Sequence, residues 1–283
     1  LGLENADLSH NQAIALFNTQ QPQAALARVT SARKQANDLN LALILNTQGF
    51  ILQSLGQVEE ALSAYESALE HDPELEIAKL NHGIVSLMLG NWTLGWRGYE
   101  SRWAGAHEVR LGAFKRPECQ LPQWRGESLK GQDALLVFSE QGLGDSLQFS
   151  RFLDQATHLF DRVTFVCQPS LVSLFTESLG DRIEILDTFP ATQDRWQWQC
   201  PLLSLPLAFN TTLNNIPDNI PYLSPPSNLL EKWRNRIVQM AGGFSVGLVW
   251  AGANQLRLNA KRSVAFATLH PLMKIEGIRF FSL

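Results

Sequence analysis

"ALILNTQGFILQSLGQVEEALSAYESALEHDPEL", residues 42–75, sets small and bulky side chains at fixed intervals. Leu45, Gly49, Leu52, Gly56, Ala61, Tyr65, Ala68 and Pro73 stand where a helix-turn-helix unit needs bulky, small, bulky, turn, small, aromatic, small and breaker in that order. Small residues let two antiparallel helices approach closely. Pro73 then ends the second helix, because its ring and missing N–H do not fit a helix interior.

The unit recurs. Gly49 and Gly83, Gly56 and Gly90, and Tyr65 and Tyr99 are each separated by 34 residues, which is the tetratricopeptide period. An earlier copy sets Ala25-Leu26 opposite Ala61-Leu62 at an offset of 36, with Gln20 in the turn slot and no closing proline. A later copy, 76 to about 109, keeps Gly83, Gly90 and Tyr99, puts Gly95 in the Ala61 slot and adds Trp92, Trp96 and Trp103. Atypical end repeats cap a solenoid, so these tryptophans are expected to pack against the next domain, with a docking surface as the other reading.

Residues 1–112 therefore read as tetratricopeptide repeats, and 113–132, rich in Pro, Gly and charge, as a linker across a surface. Beyond it the period changes. "ALLVFS" (134–139), "RVTFVC" (162–167) and "RIEIL" (182–186) read as short buried strands separated by helical spacing. After Asp145, Phe149, Phe152, Leu153, Ala156 and Phe160 fall on one helical face. Strand-helix alternation predicts a Rossmann-like parallel sheet over 133–243, covered by helices on both faces. Residues 200–226 read as proline-punctuated loop with a short helix at "LLSLPLAF", followed by a helix over about 227–241. A second unit starts at 244 with strand, loop, helix and strand and stops at Leu283. The fold class is thus α plus α/β, a solenoid followed by one Rossmann-like lobe and the incomplete start of another.

Composition narrows the function classes. With 45% hydrophobic and 18% charged residues, this is the composition of an ordinary globular chain. A net charge of −4 gives no electrostatic drive toward nucleic acid or anionic membrane. No stretch approaches the apolar length of a membrane span, no leader pattern is visible after Leu1, and Cys119, Cys167 and Cys200 fit reduced structural thiols, so a cytoplasmic location is expected.

The chemistry centres on "VFSEQGLGDSLQFSRFL", residues 137–153, where a hydrophobic run breaks at two glycines and resumes as a helix. Gly142-x-Gly144 lacks the third glycine of a dinucleotide fingerprint, and no Lys-Ser/Thr pair makes it a Walker loop. No D-x-D and no paired-histidine spacing is present, so neither a metal nor a cofactor is expected. Asp145 is expected to cap the helix by accepting from the Gln148 N–H while Gln148 reaches back. A carboxylate fixed at a strand-to-helix turn is also placed to take a proton from a hydroxyl arriving at the sheet's carboxyl edge. Glu140 reads equally as an acceptor-orienting group or a buried structural pair. Lys261, Arg262 and Ser263 put cations beside a helix start, which suits a phosphate or, equally, a solvated basic turn.

Three stretches, "SEQGLGDSLQFSRFL" (139–153), "CPLLSLPLAFNTTLNNIP" (200–217) and "VGLVWAGANQLRLNAKRS" (246–263), lie in that order behind the repeats. Together they resemble bacterial tetratricopeptide-containing glycosyltransferases, which are related to the heptosyltransferase group and more distantly to repeat-bearing O-linked N-acetylglucosamine transferases. The resemblance runs from about Leu41 to Leu283. It implies a two-lobed fold of the GT-B type with an acceptor lobe, a nucleotide-sugar lobe and metal-independent inverting transfer in the cleft. Asp145 then matches the proposed base, Glu140, Gln141, Gly142, Gly144 and Gln148 surround the acceptor, and Lys261, Arg262 and Ser263 match donor-phosphate contacts. The co-substrate is a nucleotide-diphosphate sugar, the acceptor a protein or glycan, and the repeats recruit a protein. At Ala253, Asn254, Leu256, Leu258, Asn259 and Ala260 the chain departs from the polar pattern of that group. A repeat-based binding scaffold without activity is the competing expectation, and residues 1–283 alone are expected not to transfer sugar.

Overall fold

A computed structural model describes residues 5–283 except 111–114, 130, 132, 240–242 and 253–262. The chain forms two compact units, 1–224 and 225–283. The division therefore falls some twenty residues before the expected 243, and solenoid and first sheet share one unit.

Three helical hairpins open the chain among the described residues: α1 (Ala6–Asn18) with α2 (Pro22–Lys34), α3 (Leu41–Ser54) with α4 (Val58–His71), and α5 (Glu76–Met88) with α6 (Trp92–Tyr99). Their turns use the left-handed region: φ is 80° at Gly56 and 81° at Gly90, and Gln20 takes the same role at 62°. Glycine adopts that conformation without a Cβ clash, whereas Gln20 bears the strain. Within the second hairpin, a Cβ on Gly49 would lie 2.6 Å from the Tyr65 ring, so the small residue is what admits the aromatic one. The third hairpin goes further, because Gly83 meets the Gly98 backbone directly and Tyr99 is displaced toward the sheet. Glycines at 95 and 98 weaken this last helix. It breaks after Tyr99 and resumes as α7 (Arg102–Gly105) and α8 (His107–Arg110).

The sheet is parallel throughout, in the order β3 (Ile183–Leu186), β2 (Arg162–Val166), β1 (Ala134–Phe138), β4 (Trp198–Pro201). All five residues of β1 are buried, as a central strand covered on both faces requires. Leu135 and Val137 face helices α9 (Leu143–Phe149), α10 (Arg151–Thr157), α11 (Val172–Leu179) and α12 (Leu205–Ala208); of the expected stripe, Phe152, Leu153, Ala156 and Phe160 are buried there and Phe149 is half-buried against them.

The other face departs from expectation. Leu136 and Phe138 are covered by Trp103, Leu121, Phe189 and Trp196, from the end of the solenoid, the connecting segment and the β3–β4 connection, and among the described residues no helix of the lobe joins them. Strand β4 is not among the expected strands, and only its last two residues, Cys200 and Pro201, fall in the 200–226 stretch read as loop. The supposed linker is also part of the fold: Trp124 donates its N–H to the Gln199 carbonyl (2.9 Å), Gln199 donates to Pro122 (3.0 Å), and the Trp124 ring is 2% exposed within the main core. Burial of one large apolar side chain stabilises by about 1.5–3 kcal/mol, so this segment is a structural edge of the sheet.

The second unit contains α13 (Ser227–Gln239), a parallel pair of β5 (Phe244–Leu248) with β6 (Ile278–Ser282), and a short helical stretch over 266–273. Its strands match the expected positions. Gly243, with φ 94°, passes so close to Gly277 that an added Cβ would collide with the Gly277 carbonyl.

Candidate functional site

Strand β1 ends at Phe138 and the chain turns through Ser139, Glu140, Gln141 and Gly142 into α9. Sheet order reverses between β1 and β4, the place where open parallel sheets form a crevice at their carboxyl ends. Protein side chains fill it. Glu140, whose side chain is fully buried, receives Arg102 Nε at 2.6 Å on Oε2 and Arg102 Nη2 at 2.8 Å on Oε1. The Leu203 amide, just after β4, donates to Oε1 at 3.1 Å. Arg102 spends its remaining donors on the Tyr99 carbonyl (3.2 Å), Glu100 Oε1 (2.8 Å) and Ser204 Oγ (2.7 Å). Ser204 in turn donates to Glu100 at 2.6 Å, and Gln123 Nε2 donates to the other Glu100 oxygen at 2.8 Å.

A buried charge is tolerated only when paired and hydrogen-bonded, and this cluster meets both conditions. Burial alone would raise the Glu100 carboxyl. The Arg102 charge and the Ser204, Arg102 and Gln123 hydrogen bonds outweigh it and hold that carboxyl below its ordinary range. For Arg102, burial works against the charge, but Glu140 and Glu100 keep it protonated and raise it further. Of the two readings of Glu140, the geometry realises the buried pair.

Asp145 differs from expectation in position. The helix begins at Leu143 with Gly142 as N-cap, which makes Asp145 the third helical residue and not the cap. Its Oδ2 accepts from the Gly142 N–H at 2.9 Å, the reciprocal half of a capping box. A glycine cap has no side chain to return the bond. Gln148 is exposed on the helix surface and, among the described residues, makes no back-bond to this turn, so the expected Asp145–Gln148 exchange is replaced by Asp145–Gly142. Asp145 itself is half-buried, and among the described residues its Oδ1 has no hydrogen-bond partner. Gly142 and Gly144 are exposed beside it.

Behind the turn runs a polar chain that sequence reading missed. Buried Ser146 donates to Gln168 Oε1 (2.9 Å), Gln168 Nε2 donates to the Gln141 carbonyl (3.0 Å), and Gln141 Nε2 donates to the Tyr99 hydroxyl (3.1 Å). Burial pushes the Tyr99 hydroxyl above its usual range despite the Gln141 bond. Trp96 completes the junction, edge-on to Phe149 and donating to the Thr211 carbonyl at 3.1 Å. The solenoid tryptophan thus packs on the next domain, as end-repeat capping predicts.

On the other unit, Ser263 Oγ accepts from the Gly252 amide at 3.5 Å. Lys261 and Arg262 lie outside the described residues, as does the divergent loop from Ala253 to Ala260. Among the described residues no group of three or more His, Cys, Asp or Glu is arranged to hold a metal ion. None of the described helices is long and apolar enough to cross a membrane.

Residues 42–75 match the family described as Tetratricopeptide repeat. Protein FlbA of Caulobacter vibrioides is 25% identical over 262 residues, which covers 84% of this chain and 42% of that protein. The chain thus spans about two fifths of the length of that relative. Among solved structures, YrrB, a TPR protein with an unusual peptide-binding site, is 25% identical over 40% of this chain and 58% of its own, with a TM-score of 0.33. The Sgt2 TPR domain from Aspergillus fumigatus is 17% identical over 41% of this chain and 87% of its own, also at 0.33. The family match over 42–75, with helical hairpins of similar build on either side, makes the N-terminal region a tetratricopeptide-repeat solenoid, a scaffold type associated with protein–protein interaction.

Proposed function

We propose that the chain is the repeat-bearing, acceptor-side portion of a metal-independent inverting glycosyltransferase, in which the solenoid recruits a protein and the sheet unit presents the base. The observation that carries this reading is Asp145: a half-exposed carboxylate at the carboxyl end of β1, with one oxygen held by Gly142 and the other unengaged among the described residues. Asp145 would take the proton of an acceptor hydroxyl as that oxygen attacks the anomeric carbon of a nucleotide-diphosphate sugar. The diphosphate leaves with the bonding electrons, and Lys261, Arg262 and Ser263 would hold it. Gln141 and the exposed glycine turn at Gly142 and Gly144 border the acceptor, with Gln148 on the outer rim. Glu140 contributes by fixing the turn through Arg102, since its own oxygens are occupied.

The test is full-length protein, its captured partner and a panel of nucleotide-diphosphate sugars, with transfer read by mass shift. A sugar-sized increment on the partner supports the reading. Partner binding with no transfer from any donor favours the second reading, an inactive scaffold. One specific observation favours that alternative: Arg102 and Glu140 fill the β1–β4 crevice, where a ligand would otherwise enter.

A further inference from the structure

Helices α1, α3 and α5 form one layer of the solenoid, joined by contacts across it. His10 Nε2 and Thr47 Oγ1 are 2.8 Å apart, the Phe17 and Phe50 rings are 5.2 Å apart, and Asn81 Nδ2 donates to Asn46 Oδ1 at 2.9 Å. On α3, Leu45, Gly49 and Leu52 turn toward α4 and the core, whereas Leu43 and Phe50 lie between the flanks that touch α1 and α5. Both are 45% exposed. The repeat offsets carry this position along the layer: Ile14, 38% exposed, Phe50 and the half-buried Ile84 form one row, Leu43 and the half-buried Ile77 another, and Met88, 57% exposed, extends it. The face that stacked repeats offer to an extended ligand is here a ladder of large apolar side chains.

Its charge is as informative as its shape. Helices α1 and α3 contain no Lys or Arg. Lys79, the one cation of this kind on α5, is held by Glu74 at 3.0 Å and Glu76 at 2.9 Å. Burial lowers His10 and His82 below their ordinary value, against smaller opposing effects from Asp7 and Glu66, which keeps both neutral near pH 7. Among the described residues of these three helices, a carboxylate-bearing ligand would find no unpaired cation.

We propose that the α1–α3–α5 face binds an uncharged, extended segment of a partner protein that presents a large apolar side chain at about every third residue. The spacing follows from geometry, since packed helices lie about 8–10 Å apart and three residues of an extended polyproline-II segment rise about 9 Å. The inference rests on the reading of the solenoid as a protein-binding module and gives that module its ligand chemistry.

The probe is a fluorescent, end-capped peptide of four Leu-Ser-Gln triplets, titrated into the protein by anisotropy alongside its Leu→Asp counterpart. Saturable binding of the first and none of the second is expected, with Phe50→Asp and Ile84→Asp each weakening it at least tenfold while the circular dichroism melt stays cooperative. Equal or tighter binding of the acidic peptide overturns the ligand chemistry and leaves the solenoid as a peptide binder. Binding of neither peptide overturns both. Leucine-peptide binding that both variants leave unchanged overturns the assignment to this face alone.

Discussion

Arg102, from the end of the solenoid, and Glu140, from the end of β1, meet through two hydrogen bonds of 2.6 and 2.8 Å with both side chains closed to solvent. Thirty-eight residues apart in sequence, they fix the repeat array to the strand-to-helix turn that carries Asp145. Removing one member of a buried pair leaves the other charge uncompensated, at a cost of about 3–5 kcal/mol. Arg102→Ala is expected to show that loss in urea unfolding. Arg102→Lys is expected to recover only part of it, because three ammonium donors cannot replace the fork that serves Glu140, Glu100, Tyr99 and Ser204 at once.

The same cluster sets an acid limit. Glu100 titrates below its ordinary range in the folded protein, so the stability it contributes is complete above the unfolded carboxylate value of about 4.3 and is lost as pH falls through the lower folded value. Melting temperature should therefore decline below about pH 4.3. Glu100→Gln should flatten that decline and lower the melting temperature at pH 7. An unchanged pH profile in the variant would assign the acid sensitivity to other carboxylates.

Turn chemistry predicts opposite signs at two solenoid positions. Gln20→Gly relieves a left-handed backbone conformation at an exposed site and should stabilise by about 0.5–1 kcal/mol. Gly49→Ala drives a methyl to within 2.6 Å of the buried Tyr65 ring and should destabilise by about 1–3 kcal/mol. Thermal melts of the two variants, one above and one below the parent, check both.

Thiol reactivity reports the two-sided sheet core. Cys200 is fully buried and burial pushes its thiol well up, while Cys167, 3% exposed, is pushed up to about 11 by burial and by Asp187. Cys119 is half-buried at the surface segment. A chromogenic disulfide reagent at pH 8 should titrate one thiol quickly in the native protein and all three in denaturant. Rapid native reaction at two or more sites would contradict the described packing.

The solenoid was legible in the sequence because its contacts are local and periodic, so Gly49, Gly56 and Tyr65 announce the hairpin they build. Even Gln20 was placed in its turn slot, since the period fixes the conformation whatever residue occupies it. Strands β1, β2 and β3 were legible as apolar runs. Strand β4 was not, because "WQCP" is four residues long, ends in proline and takes its pairing from β1 and from the Trp124 segment. Arg102 and Glu100 carried no signal either, since their partners Glu140 and Ser204 lie up to 104 residues away and only the completed fold brings them together. At the candidate site, the turn reads correctly as strand-to-helix, but the expected helix start lies three residues late. That shift alone exchanged Gln148 for Gly142 as the partner of Asp145.

Asp145→Asn in the full-length protein tests the central claim most directly. Asparagine keeps an oxygen to accept from the Gly142 amide, so the turn survives, while the capacity to take a proton is lost. Sugar transfer to the captured partner, measured at saturating donor, is expected to fall by about 10²- to 10⁴-fold with the melting temperature nearly unchanged. Transfer at the parent rate in a folded Asn variant would contradict the account.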